Sequence, residues 1–293
     1  MIAQFALRLI CGMSLMWALM PRRQVTSGFF RIQMLVVMGL GVLAALSMAM
    51  DAQSAIREAG SYEPALVLPS PLIASFPACL IAVLGFVGSV LWTLERRRVA
   101  AVIGFGVLYV SAVLSAVQYA GVGHDGFILT VGDTIVKFST SAVSSTCPQF
   151  LAIVSEFAGA AVLGSTVVGM LLGHWYLTTP TMSIEPLKRL NLFLGIAGVL
   201  RLMISASVVL MLWEGAFDSA ETSARLAALP KAWMGLRWLA GVIGPLVVSL
   251  MVWRILKYRN TQAATGVLFV GVILAFIGDM TAALLLQETK LPL

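Results

Sequence analysis

Charge is scarce in this chain. Asp, Glu, Lys and Arg make up 11% of its 293 residues, against about 25% in a soluble domain. Hydrophobic residues make up 60%, and the mean hydropathy is +0.97. A water-soluble fold cannot hide that much apolar surface, so a soluble globular domain is excluded. The solvent is hydrocarbon, where a spanning helix satisfies its own backbone and needs about 20 apolar residues.

Histidine is scarcer still, with His124 and His174 making up the whole complement. They fall toward opposite faces of the membrane in the frame derived below, so they cannot clamp one haem iron, and haem is not expected. The three cysteines, Cys11, Cys79 and Cys147, share no metal-ligand spacing, so neither a metal site nor a disulfide framework is expected. Cys11 and Cys79 lie in apolar runs, where the thiol acts as a small hydrophobe. Cys147, in a polar stretch, is the candidate for reactivity. P-loop, zinc, GxSxG and paired-carboxylate signatures are all missing from the sequence, so no catalytic residue is assigned.

What is present is a series of eight apolar windows. They run over about 1–20, 30–50, 72–94, 100–120, 150–177, 190–213, 233–253 and 263–286. Trp92, Trp175, Tyr176, Trp213, Trp233 and Trp253 sit near window ends, as interfacial aromatics do. The first window has no basic residue before it, carries Arg8 within it and is followed by Arg22 and Arg23. That is the pattern of a retained span rather than a cleaved leader. Pro245, with Gly241 and Gly244, marks a kink in the seventh window.

The few charges are sorted by connection. Alternate connections hold Arg22, Arg23 and Arg31; Arg96, Arg97 and Arg98; Lys188 and Arg189; and Arg254, Lys257 and Arg259, eleven of the 19 basic residues. The remaining connections and the C-terminal tail hold five basic residues and nine of the 13 acidic ones. The positive-inside rule then predicts a cell-membrane protein, plasma or inner, with both termini outside. The net charge of +6 is therefore a topology signal, and no nucleic-acid partner is expected.

The halves match when offset. Trp17 and Arg31 stand opposite Trp175 and Arg189 at an offset of 158, and 106–114 (GVLYVSAVL) parallels 266–274 (GVLFVGVIL). This predicts an all-α fold of two tandem four-helix bundles, 1–120 and 150–293, as a parallel internal repeat. Between them, 121–149 is read as an outward loop. In it 127–131 and 134–138, β-rich runs around Gly132-Asp133, predict a small hairpin that caps helix ends or meets a partner. The outline resembles that of polysulfide-reductase anchor subunits, with which the chain shares no motif.

Five ionisable residues fall well within the windows, away from their ends: Arg8, Glu156, Arg201, Arg237 and Asp279. Each costs about 2.5–3.5 kcal/mol at the bilayer centre on insertion scales, so each must be paired or hydrated. Four belong to the second half, and Glu156 and Asp279 are expected to pair with Arg201 and Arg237 around an outward-facing polar cavity. The simpler alternative is that these are ion pairs that fix helix register. Glu156 and His174 are five helical turns apart on one face, with Gly159, Ala160, Leu163, Val167 and Met170 between them. They read either as two ends of a path, or as a packing stripe ending in an interfacial anchor, His174-Trp175-Tyr176. Arg8, His174, Trp175 and Tyr176 are therefore secondary site candidates.

Three functions fit. The chain moves a proton, ion or small solute; or it anchors a respiratory complex and holds a quinone or lipid; or it is an assembly protein. Its partners are the bilayer and either membrane subunits or further copies of itself.

Overall fold

The computed structural model describes residues 2–59, 71–119, 127–131, 134–138, 149–179, 182–213 and 231–289. His124, Cys147, the Gly132-Asp133 turn and both chain ends lie outside the described residues. Among those described, eight helices are long and apolar enough to cross a membrane. They are α1 (Ile2–Leu19), α2 (Ser27–Ala59), α3 (Pro71–Thr93), α4 (Arg97–Tyr119), α5 (Gln149–Thr178), α6 (Glu185–Trp213), α7 (Lys231–Lys257) and α8 (Thr261–Thr289). The chain is thus a helical, multi-pass membrane protein. Two short strands, β1 (Phe127–Val131) and β2 (Thr134–Phe138), pair antiparallel with Phe127 opposite Phe138.

The chain divides into two compact units, one of residues 1–10 and 30–142, the other of residues 11–29 and 143–293. In the first unit α3 packs on α4, and α2 meets α3 where small residues let the backbones close. A Cβ on Gly85 would lie 2.9 Å from the Met38 backbone nitrogen, and one on Gly41 2.9 Å from that of Ala82. Phe30 stacks on Trp92 at 4.5 Å. The opposite side of α3 exposes Leu72, Phe76, Val83, Phe86 and Val90, a continuous apolar stripe that water would not tolerate and lipid covers. Hydroxyls within the helices turn inward on the backbone: Ser111 Oγ donates to the Val107 carbonyl at 2.8 Å, as a hydroxyl in hydrocarbon must.

In the second unit α5 packs against α6 and α8, and α7 against α6 and α8, closing a four-helix bundle. α1 joins it by backbone contact, Gly12 lying against Ala160 and Gly164 of α5. The 26–29 segment is fastened to the same helix: Trp175 Nε1 donates to Thr26 Oγ1 at 2.8 Å, and the indole meets Phe29 edge-on. At one end of the bundle α6 and α7 are clamped reciprocally. Asn191 Nδ2 donates to the Ser249 carbonyl at 3.0 Å, and Ser249 Oγ to the Asn191 carbonyl at 3.1 Å.

α7 is not a uniform helix. Its middle, Leu239–Ile243, is a π-helical segment, in which Gly244 N–H donates to the Leu239 carbonyl five residues back. The cause lies one residue on, where Pro245 has no N–H to donate and its ring crowds the carbonyl of Gly241. The kink expected at Gly241, Gly244 and Pro245 therefore takes the form of a widened turn.

Candidate functional site

The buried charges of the second unit come from all four helices of its bundle. Arg201 lies on α6, Arg237 on α7, Asp279 on α8 and Glu156 on α5, and all are at most 4% exposed. At 1.5 Å per residue, Glu156 is about 10 Å and Arg237 about 9 Å from the start of its helix. Asp279 is about 15 Å and Arg201 about 18 Å from the end of its helix. The four thus occupy the half of the bundle where α5 and α7 begin and α6 and α8 end.

The structure brings Arg201 and Asp279 together: Nη2 lies 3.6 Å from Oδ1, with the two side chains 5% and 1% exposed. Arg237 reaches α6 as well, its Nη2 donating to Ser205 Oγ at 3.4 Å. Ser205 stands one turn beyond Arg201, so one face of α6 receives both α8 and α7. Glu156 is buried on α5, which packs directly on α6 and α8.

Two glycines make the geometry fit. Gly241 of α7 and Gly278 of α8 meet backbone to backbone, and Gly278 is the residue before Asp279. A Cβ on Gly241 would also lie 2.7 Å from Arg237 Nη1. The guanidinium therefore runs along α7 over the bare backbone of Gly241 and into the widened turn, rather than out into lipid. Desolvated charges repay their burial only with close partners, and the Gly241–Gly278 crossing draws α7, which carries Arg237, against α8, which carries Asp279.

The secondary candidates lie elsewhere. Arg8 is buried on α1 and belongs to the first unit. His174 is exposed, whereas Glu156 is buried, so the stripe joining them does not end at two equivalent sites. Its Ala160 and neighbouring Gly164 are occupied by Gly12 of α1. Trp175 is held by Thr26, and the Tyr176 hydroxyl donates to the Ser183 carbonyl. These contacts fasten the end of α5 to its adjoining segments.

Sequence reasoning missed Ser205, the Asn191–Ser249 clamp and the glycine crossing. Their signals were present as spacing: Arg201 and Ser205 at i,i+4, Arg237 and Gly241 at i,i+4, and Gly278 beside Asp279. Among the described residues no group of three or more His, Cys, Asp or Glu side chains is placed to hold a metal ion. Comparison with protein-family models, with curated proteins and with solved structures finds no match to the chain.

Proposed function

We propose that this protein moves a proton, ion or small solute across a cell membrane, and that the charged cluster of the second unit is where the moving species binds. The observation that carries the reading is the Arg201–Asp279 ion pair, buried in an apolar bundle and crossed by a helix whose middle turn is π-helical. Ionisable groups within a membrane are costly and mark conduction or relay sites by default. A π segment beside them supplies a place where a helix changes register. Asp279 and Glu156 are the proton- or cation-exchanging groups, Arg201 and Arg237 the fixed charges that set their affinity, and Ser205 orients Arg237.

The finer architecture belongs to the same proposal. The chain is two tandem four-helix repeats, with the basic connections inside and both termini outside. Its support is the charge sorting together with the two connecting turns, α3–α4 and α7–α8, each closed by a charged residue at positive φ, Glu95 at 55° and Arg259 at 56°.

The test is reconstitution of the full chain in liposomes, with a pH-sensitive dye inside and a panel of labelled small anions and cations outside. Wild-type protein is expected to dissipate a pH gradient or accumulate at least one solute. D279N and E156Q are each expected to lower that flux at least tenfold while remaining monodisperse in detergent. Wild-type vesicles no leakier than empty ones to protons and to every solute would overturn the reading.

A further inference from the structure

The opposite end of the second unit, where α7 turns into α8, carries charges that the buried cluster does not use. From Gly244 to Gly278 the chain has no acidic residue, and its charged residues are Arg254, Lys257 and Arg259, all exposed. Lys257 Nζ lies 3.9 Å from the centre of the Trp253 ring, one turn earlier on the same helix. That indole is 51% exposed and Tyr258 is 85% exposed. An apolar helix ending in a half-exposed indole capped by an ammonium matches a lipid boundary, with the ring among the glycerol and acyl groups and the amine at the phosphates. Lys188 of α6, also exposed, comes to the same level. Asn191, one turn from it, is bonded to Ser249, one turn from Trp253.

The backbone adds an independent observation. Arg259 stands at φ 56°, the left-handed conformation that closes a helix and that glycine ordinarily fills. Its N–H donates to the Leu256 carbonyl at 3.2 Å and that of Tyr258 to the Ile255 carbonyl at 3.0 Å, so the turn does a glycine's job with a cation in place. The conformation fixes where the Arg259 side chain leaves the turn, beside Lys257 and Trp253.

We infer that the α7–α8 turn, through Trp253, Arg254, Lys257, Arg259 and the neighbouring Lys188, binds the phosphodiester headgroup of an anionic phospholipid. The attraction is that of a polybasic juxtamembrane surface. It is given specificity here by a lysine held over an indole and an arginine held at a fixed turn.

The full chain in neutral detergent tests this by its thermal-unfolding midpoint with phosphatidylglycerol, phosphatidylcholine or inorganic phosphate added. Phosphatidylglycerol is expected to raise the midpoint by on the order of 3 °C more than phosphatidylcholine does, and phosphate to leave it unchanged. R259G, relieved of backbone strain, is expected to unfold no earlier than wild type without lipid, yet to lose at least half of the phosphatidylglycerol increment. K257Q is expected to lose a similar share without touching the turn. Equal increments from the two lipids, an equal rise from phosphate, or full retention of the increment in both variants would each overturn the proposal.

Discussion

Asp279 shows how much one residue's position depends on its neighbours. Its carboxylate is 1% exposed and sits beside the Arg201 guanidinium of α6, while Gly278, the residue before it, lets α7 close on α8. Removing one partner of a buried pair leaves an uncompensated charge and costs about 3–5 kcal/mol, whereas removing both is often close to neutral. D279N is therefore expected to lower the thermal midpoint in detergent sharply, and R201M combined with D279N to recover most of the loss. A double variant no more stable than D279N alone would show that the pair does not hold the bundle together. The sequence marked all four buried charges of this half, because an ionisable residue inside an apolar window stands out by composition alone. It did not say which acid meets which base, since each residue turns a side chain by about 100° around its helix and the rotation of the helices is set by packing. The placement of Arg237 on Ser205 was for that reason not legible.

At the scale of the element, α7 is where local chemistry and packing meet. Proline at 245 removes a donor and crowds the carbonyl four residues back, and the helix answers with the π turn Leu239–Ile243. A π segment holds one residue more than an α-helix of the same length, so it rotates the turns before it by about 100° relative to the turns after it. That rotation brings Arg237 to bear on α6. Deleting Val242 is expected to restore α-helical spacing, keep the span and turn Arg237 away from Ser205. Any flux that the wild type shows in liposomes is then expected to be lost while the helix content by circular dichroism is unchanged, and unchanged flux would separate the π turn from the proposed function. G278A probes the crossing itself. The new methyl meets the Gly241 backbone, which has no flexible side chain to move aside, so a loss of about 1–3 kcal/mol is expected in a denaturation series. The sequence showed the kink through its Gly and Pro residues. The partner of Gly241 was hidden, because a glycine in an apolar helix reads the same whether it faces lipid or another backbone.

At the scale of the whole molecule, the apolar windows agree in number and order with the eight helices that, among the described residues, are long and apolar enough to span. Length and apolarity are properties of each segment alone, which is why they could be read before any packing was known. Helix α2, 33 residues long, shows where that reading ends. About 50 Å of helix exceeds a hydrocarbon core of about 30 Å, and its polar last turns, from Asp51 to Arg57, have the composition of a connection. The same charges that close the apolar windows early also predict the orientation, and labelling at two of the connections tests the whole arrangement. Asp51, toward the far end of α2, and Asn260, in the α7–α8 turn, are both exposed and belong to connections of opposite charge character. If the basic turns are inside, the positive-inside rule puts Asp51 outside and Asn260 in the cytoplasm. In a background with Cys11, Cys79 and Cys147 replaced by serine, D51C is expected to react with a membrane-impermeant maleimide in intact cells. N260C is expected to react only after permeabilisation. The reverse pattern would invert the protein in the membrane and place the buried charges nearer the cytoplasm, and labelling of both residues in intact cells would contradict the alternation of spans on which the orientation depends.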